Sequence, residues 1–384
     1  MNFTAAAVFD LKMWASLPFH FWTAVFFVLG SMVGSFLNVC IHRMPLGESI
    51  VTPPSHCPGC GALIRWWQNI PIFSWLALRG RCAGCGARIS PRYVLVEALT
   101  GMLFAILWIQ HGMVSVLGVL ALVVFTAGLI VATFIDLEHL IIPDEITLGG
   151  TAVGVVCSVI APSIQSQTYV WPALRSSLIG LVVGAGVVFA ILELGKLLFG
   201  RQRLRLPEGT RMVFTETELH LPDRVLPYEE VFFRVSDTLM FHASRLELTD
   251  RCYQSVMVRL KLRAGLLVIG DEEVDASTVT WMAAEADQVT VPREAMGWGD
   301  VKFMAAIGAF TGWQGVVFTL LGSSVAGLLV NLGLISMRRR QWSAQIPFGP
   351  YLALAALFWA LGARDWWVAW FFPGVGAMGS NTDF

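Results

Sequence analysis

The sequence predicts an all-α polytopic membrane protein with about eight transmembrane helices, a cytosolic four-cysteine segment and an inserted cytosolic β-rich domain. Of its 384 residues, 56% are hydrophobic and only 14% are charged, whereas soluble domains average about 25% charged residues. Long apolar runs recur along the chain, and more than half of the charge lies in one stretch. This composition excludes an ordinary soluble protein and a disordered one. The net charge of −1 gives no sign of nucleic-acid binding.

Eight apolar runs approach the length of about 20 residues that a transmembrane helix needs. They cover residues 21–41, 93–110, 113–135, 146–161, 174–199, 301–313, 315–337 and 347–371. The first run is too long for a signal peptide, and no small-residue cleavage site follows it. The sixth and seventh runs are separated at Thr311–Gly315. A single long, kinked helix is the alternative interpretation there.

Lysine and arginine are distributed unequally between the two sides of the predicted spans. If the first span ends in the cytosol, the segment 42–92 and the connection after the seventh span hold nine of these residues, against three on the other side. Short cytoplasmic loops carry an excess of Lys and Arg. We therefore expect the segment 42–92 to be cytosolic and both termini to lie outside.

These assignments predict five segments. They are a first transmembrane helix (1–41), a cytosolic cysteine segment (42–92), helices 2–5 (93–199), a cytosolic β-rich insertion (200–296) and helices 6–8 (297–384).

The segment 42–92 contains two Cys-x-x-Cys pairs, each with a glycine inside the pair. The four cysteines are Cys57, Cys60, Cys82 and Cys85. Paired motifs of this kind supply four thiolates to a tetrahedral structural zinc ion. Disulfides are rare in the cytosol, and redox-active cysteines are the alternative. The three remaining cysteines, Cys40, Cys157 and Cys252, are predicted to be buried free thiols.

The segment 200–296 differs in kind from the rest of the chain. It holds 12 Lys or Arg and 16 Asp or Glu residues, which is over half of the chain's charge. Alternation of apolar and polar residues in stretches that begin at Arg211 and Tyr253 predicts β-strands. No motif in this segment identifies a ligand.

Acidic residues cluster where two of the predicted spans meet the cytosol. One cluster closes the third span and the other opens the sixth. The first cluster contains Asp136, Glu138 and Asp144, with Pro143 directly before Asp144. In the second cluster Asp300 lies beside Gly297, Gly299 and Lys302. Ionisable residues at membrane depth are expensive and often functional. Both clusters are predicted to lie at the same membrane boundary, so they can meet in space.

A pair of close carboxylates suits the activation of water. Two such groups cannot both ionise, so one retains a proton and the pair can act as acid and base. The glycines beside Trp298 allow unusual backbone angles and close approach of a substrate strand. Solvated helix ends, or acids that transport ions, are the alternatives at this point. For Lys302 the alternative is a side chain that extends to the membrane interface.

Several motifs, taken together and in order, are similar to those of a known family. They are Gly34-Ser-Phe-Leu-Asn-Val39, the two cysteine pairs, Pro91-Arg-Tyr93 with Glu97, Ile135-Asp-Leu-Glu138 with Ile142-Pro-Asp144, Gly297-x-Gly-Asp-x-Lys302 and Pro347-Phe-Gly-Pro350. The chain resembles the type IV prepilin peptidases, which are membrane aspartyl proteases with a GxGD motif. The resemblance spans nearly all of the membrane portion.

The resemblance implies an activity and a location. Asp136 and Asp300 are then the catalytic pair, and Gly297, Gly299, Lys302, Glu138, Pro143 and Asp144 support them. Members of this family remove the leader peptides of prepilins and pseudopilins after a glycine, at the cytosolic face of the bacterial inner membrane. Many then methylate the new N-terminus with S-adenosylmethionine. The cysteine segment accompanies that bifunctional form, and Gly80 is a candidate for the methyl-transfer region, with a simple turn as the alternative.

The segment 200–296 departs from the family pattern, which has only a short connection before the GxGD box. The insertion could bind a pilus-assembly or secretion-system partner, gate the site or only stabilise the fold. The departure affects expectations about substrate choice and regulation, but not about the chemistry. Three other functions stay open. They are a leader peptidase without methyl transfer, an ion transporter, and a non-enzymatic anchor that presents the insertion to a partner.

Overall fold

The structure is a computed structural model that describes residues 18–199, 201–207, 209–215, 217–222, 225–232, 238–292, 297–337 and 347–371. The chain forms two compact units. One comprises residues 1–189 and 298–384, and the other comprises residues 190–297. Lys12 and Arg338–Arg340, on which part of the orientation argument depends, lie outside the described residues.

The described helices follow the apolar runs of the sequence. In chain order they are α1 Phe19–Arg43, α2 Phe73–Ala77, α3 Pro91–His111, α4 Val116–His139, α5 Asp144–Ile160, α6 Val170–Phe199, α7 Tyr228–Val231, α8 Trp298–Ser336, α9 Gly349–Phe358 and α10 Arg364–Phe371. A π-helical turn, Trp359–Ala363, joins α9 to α10.

Six helical segments in the described part of the chain are long and apolar enough to cross a membrane, against the eight predicted. The difference has two causes. Helix α5 has 17 residues and so spans only about 26 Å. The sixth and seventh predicted spans lie in one 39-residue segment, α8, which joins two helices across a break at Gly312 and is counted once.

Helix α8 is interrupted at Gly312, inside the stretch where the sequence analysis separated two spans. Gly312 has φ 71° and ψ 178°, which is not helical. Gln165 is 3% exposed and its amide donates to the carbonyls of Ala309 and Phe310, just before the break. The helices on either side of Gly312 fold back on each other, since a Cβ at Gly308 would lie 3.0 Å from Val316, eight residues later. The break thus separates two helices within the stretch where the sequence analysis separated two spans.

Helices α1 and α3 pack together through small residues. A Cβ atom at Gly30 would lie 2.8 Å from the Cα of Gly101, and one at Gly34 would lie 2.8 Å from the Cα of Glu97. Asn38, one turn after Gly34, donates from Nδ2 to the carbonyl of Tyr93 at 3.0 Å. Small residues allow this close approach of helix backbones, which fixes the start of α3 beside the end of α1.

The unit formed by residues 190–297 is rich in strands, as the sequence predicts. Its strands are β1 Arg201–Arg205, β2 Arg211–Phe214, β3 Glu218–His220, β4 Val225–Pro227, β5 Leu239–Leu248, β6 Cys252–Lys261, β7 Leu266–Ile269, β8 Glu272–Asp275, β9 Met282–Glu285 and β10 Gln288–Pro292. The order is β4-β3-β2-β9-β5-β6-β7-β8, and β10 pairs with both β1 and β5.

The alternating residues of these strands form a hydrophobic core. Met212, Phe214, Leu246 and Val258 are among its buried members. The prediction of a buried thiol is wrong for Cys252, which is exposed at the start of β6. The residues at this end of the strand are not buried, and the buried positions come only later in it. Cys40 is buried and Cys157 is half-buried.

Candidate active site

Asp136 lies in the last turn of α4, and its side chain is 5% exposed. Helix α4 ends where Leu140 adopts a left-handed conformation and its N–H donates to the carbonyl of Asp136 at 3.0 Å. The backbone N–H of Gly349 donates to Oδ2 of Asp136 at 2.9 Å. A charge-assisted hydrogen bond from the N-terminus of a helix stabilises a carboxylate. The structure thus provides a specific partner for an acid that is otherwise buried.

Gly349 is the first residue of α9, and the position has no room for a side chain. A Cβ atom there would lie 2.7 Å from Oδ2 of Asp136 and 3.2 Å from Cδ1 of Ile142. Only glycine lets the backbone N–H approach the carboxylate this closely.

Asp300 lies in the first turn of α8 and is half-buried. Gly299 brings this turn against the segment that follows Asp136, since a Cβ at Gly299 would lie 3.5 Å from the Cβ of Ile142. Trp298 packs on Phe189, with ring centroids 5.6 Å apart, and Gly297 precedes the helix. Ile142 therefore touches both the turn that carries Asp300 and the glycine that binds Asp136.

Two ion pairs tie this region together. Nζ of Lys302 lies 2.6 Å from Oδ1 of Asp144, in the first turn of α5. Pro143 is the N-cap residue of that helix. Arg92, near the start of α3, pairs with Glu138. Lys302 is thus paired with an acid, and the two acidic clusters of the sequence meet at one end of the helices.

Cys57, Cys60, Cys82 and Cys85 form a second cluster, with all four Sγ atoms within 4.8 Å of one another. The Sγ atoms of Cys57 and Cys85 are 3.8 Å apart. A zinc ion with Zn–S bonds of about 2.3 Å requires tetrahedral edges of about 3.8 Å. None of the four cysteines forms a disulfide. The donor set and its spacing fit a closed four-thiolate metal site.

Two equivalent turns build this cluster. Cys57 and Cys82 each donate an N–H to the carbonyl of an alanine five residues later, at 2.9 and 2.8 Å. Each turn passes through a left-handed glycine, Gly61 or Gly86. The backbone N–H groups of Cys85 and Gly84 lower the pKa of the Cys82 thiol to about 6. The Cys60 thiol shifts in the opposite direction, because the backbone N–H of Ala62 lowers its pKa but hydrogen bonds with Cys85 and Cys57 raise it to about 11. The spacing of the four sulfurs, and not these pKa shifts, indicates the metal site.

Gly80 lies in the turn before the second cysteine pair. It has φ 65°, and a Cβ there would lie 2.9 Å from the Trp75 ring. This geometry requires a glycine in the turn, and a role of Gly80 in methyl transfer stays a prediction.

Three contacts escaped the sequence analysis because they join residues far apart in the chain. They are the Gly349–Asp136 hydrogen bond, the Arg92–Glu138 ion pair and a 2.7 Å hydrogen bond from the N–H of Ile72 to Glu97. The sequence carried one signal for them, since Glu97 and Gly349 both lie in recognised motifs.

Comparison with known families gives two matches. Residues 28–111 match the Bacterial Peptidase A24 N-terminal domain, and residues 123–204 and 261–332 match the Type IV leader peptidase family. The prepilin leader peptidase/N-methyltransferase of Dichelobacter nodosus is 37% identical over 207 aligned residues, which cover 46% of this chain and 69% of that protein. The chain belongs to the type IV leader peptidase family.

Other relatives with the same description cover more of the chain or are more similar over less of it. That of Aeromonas hydrophila is 29% identical over 385 aligned positions, covering 93% of this chain and 97% of the relative. That of Myxococcus xanthus is 50% identical over 144 residues, covering 37% and 42%. No solved structure matches the chain significantly. The regions that match the leader peptidase family contain both Asp136 and Asp300.

Proposed function

We propose that this chain is a prepilin leader peptidase, a membrane aspartyl endopeptidase that removes the leader of type IV prepilins or pseudopilins after a glycine. The observation that carries the proposal is the meeting of the two acidic segments through Ile142, with Gly349 bound to Asp136. Relatives aligned over most of the chain are prepilin leader peptidase/N-methyltransferases. Asp136 and Asp300 are the proposed catalytic pair.

In this mechanism the two carboxyl groups act on water. One ionised carboxylate removes a proton from water as its oxygen bonds to the peptide carbonyl carbon. The other, protonated, donates its proton to the peptide nitrogen, and the C–N bond breaks to give an acid and a free amine. The Gly349 hydrogen bond holds Asp136 in position, and Gly299 lets the substrate strand approach.

The position of the acids at the end of their helices suits a substrate with an apolar N-terminal helix. The substrate's apolar helix lies in the bacterial inner membrane, and its leader points into the cytosol. The excess of Lys and Arg in the segment 42–92 supports cytosolic placement of this end. A glycine at the cut lowers the free energy needed to unwind the substrate helix locally.

We also propose that the chain methylates the new N-terminus. The relatives support this proposal, because they are described as prepilin leader peptidase/N-methyltransferases. S-adenosylmethionine supplies the methyl group: the amine's lone pair bonds to the methyl carbon while the C–S bond breaks and its electron pair stays on sulfur. Cys57, Cys60, Cys82 and Cys85 are proposed to bind structural zinc. Four thiolates leave no open coordination position, so the ion supports the fold of the segment.

The product of a synthetic prepilin tests both activities. Purified full-length chain in liposomes is incubated with the prepilin and S-adenosylmethionine, and the mature product is analysed by mass spectrometry. We expect cleavage after the leader glycine and one added methyl group. A product cut at that glycine without the methyl group would retain the peptidase and remove the methyltransferase. An uncut substrate would contradict the proposal.

Replacing one proposed zinc ligand tests the metal site. We expect Cys60→Ser to lose its zinc, measured as metal per chain, because three thiolates no longer close the tetrahedron. Structural zinc contributes roughly 10–16 kcal/mol in small zinc domains, so methylation should fail as the segment unfolds. Cys252→Ser is the matched control, since this cysteine is also exposed but lies outside the cluster. Full zinc content in Cys60→Ser would disprove the site.

A further inference from the structure

A cavity of about 330 Å³ lies between one face of α1 and residues 50–71 of the cysteine segment. Ser35, Val39 and Arg43 line it at helical spacing, and Val51, Pro53 and Asn69 face them. Small-molecule sites in proteins begin at about 300 Å³. The lining is mixed, with apolar residues such as Val39 and Val51 beside the polar Ser35, Arg43 and Asn69. The cavity thus has the size and chemistry of a binding site for a small polar molecule.

Arg43 is a buried cation in the last turn of α1, where the helix dipole favours positive charge. Arg43 is 7% exposed, and its guanidinium donates to the carbonyls of Ser49 at 3.0 Å and Pro53 at 2.8 Å. Within the ranges that the structure describes, no carboxylate pairs with it. A buried charge is normally paired, and a guanidinium has five N–H donors, of which these bonds use two. A cavity lined by such a group fits a ligand that carries an anion.

The cavity opens at the same end of the helices as the candidate active site. Asn38 on α1 binds the carbonyl of Tyr93 at the start of α3. The preceding residue, Arg92, pairs with Glu138, two residues beyond Asp136. A second cavity of about 190 Å³ is lined by His111 and Ser115, at the opposite ends of α3 and α4. Of these two cavities, the Arg43 cavity is the one at the end where a new N-terminus would be released.

We propose that this cavity binds the methyl donor S-adenosylmethionine and that Arg43 binds its carboxylate. The assignment rests on the proposed methyl-transfer function and adds its site. An amino-acid carboxylate supplies the missing anion, and the guanidinium matches its two oxygens. A phospholipid phosphate offers the same anionic chemistry, so the test must separate the two.

Blocking the cavity tests the proposal. Binding of radiolabelled S-adenosylhomocysteine to the full-length, zinc-loaded chain is measured by equilibrium dialysis in detergent. Val51 is 79% exposed and lines the cavity, so Val51→Trp should fill it without disturbing the fold. Leu63→Trp is the matched control, because Leu63 is 65% exposed in the same segment but does not line the cavity.

We expect Val51→Trp and Arg43→Gln to weaken binding by about tenfold or more, the effect of losing a charge-assisted contact. Leu63→Trp should bind the labelled compound and cleave a prepilin like the wild type. Arg43 also anchors the loop, so Val51→Trp carries the test if Arg43→Gln does not fold.

Three results would overturn the assignment. The first is wild-type affinity in Val51→Trp. The second is a phospholipid that co-purifies with the wild type and is lost from Arg43→Gln while affinity for the labelled compound is unchanged, which would assign the cavity to lipid. The third is a wild type that neither binds the compound nor adds a methyl group to a cleaved prepilin. That last result removes the methyl-transfer function together with its site, whereas the first two remove the site alone.

Discussion

At the scale of single residues, the account depends on how a buried acid is held at the end of a membrane helix. Asp136 is 5% exposed, and burying a carboxylate without a partner is strongly unfavourable. The N–H of Gly349 meets this need at 2.9 Å. The same hydrogen bond fixes the direction in which the carboxyl group points. Gly349 thereby acts as a positioning residue for Asp136.

Replacing Gly349 tests this role directly. A Cβ at this position would lie 2.7 Å from Oδ2 of Asp136, so Gly349→Ala must displace the carboxyl group or the start of α9. A misplacement of about 1 Å can lower a rate about 100-fold. We expect prepilin cleavage to fall by about 10- to 100-fold, while methylation of an already cleaved prepilin is retained.

Gly128→Ala is the control for Gly349→Ala, because Gly128 lies in the same helix as Asp136 and a Cβ there meets nothing within 4 Å. It should cleave at the wild-type rate. Wild-type cleavage by Gly349→Ala would show that the hydrogen bond does not position Asp136.

At the scale of elements, backbone-to-backbone contact fixes the helix that carries Asp300. A Cβ at Gly308 in α8 would lie 2.1 Å from the carbonyl oxygen of Gly180 in α6. One at Gly184 would lie 2.4 Å from the carbonyl oxygen of Met304. Small residues drive helix association inside membranes, where the hydrophobic effect does not. Close contacts with the backbone of α6 thus fix the position of the start of α8.

Substitution at this contact should destabilise the membrane unit. Backbone atoms cannot move aside as a side chain can, so Gly308→Ala must separate the two helices. Overpacking of this kind costs about 1–3 kcal/mol, which should lower the thermal unfolding midpoint in detergent. Gly333→Ala lies in the same helix where a Cβ meets nothing within 4 Å, and it should be neutral or slightly stabilising. Equal midpoints for the two variants would contradict the packing account.

The sequence predicted the elements better than the contacts between them. Apolar runs gave the helices, and the glycine-rich stretch at Thr311–Gly315 contained the break in α8. The end of α4 was missed by four residues, because the prediction ended at the last apolar residue before Asp136. The helix continues to His139 and ends at the left-handed Leu140. The cysteine spacing predicted the four-sulfur cluster. The Gly349–Asp136 and Arg43–Pro53 hydrogen bonds depend on tertiary packing, which local patterns do not specify.

At the scale of the whole molecule, the strand-rich unit is an insertion whose two ends lie side by side. Strands β1 and β10 are antiparallel partners, with Arg201 opposite Pro292. The unit has its own hydrophobic core, and the chain divides at its boundaries. Units with separate cores can fold independently.

Removal of the insertion should therefore leave the membrane unit intact. Replacing residues 201–292 with a short Gly/Ser linker joins ends that are about 5 Å apart, the usual distance between antiparallel partners. We expect the shortened chain to insert, retain its zinc and cleave a synthetic prepilin within about tenfold of the wild-type rate, because both acids and their partners remain. A stable, zinc-loaded but inactive chain would instead give the insertion a direct part in catalysis.

The most direct test of the central claim is the cleavage rate of Asp136→Asn and Asp300→Asn in liposomes with a synthetic prepilin. Asparagine keeps the size of the side chain but cannot act as a general acid or base. Loss of one acid–base group lowers a rate by about 10²–10⁴-fold, and we expect such a loss in each variant, with unfolding midpoint and zinc content unchanged. Asp365→Asn, in α10, is the matched control and should cleave normally. Wild-type cleavage by either catalytic variant would contradict the assignment of Asp136 and Asp300 as the catalytic pair.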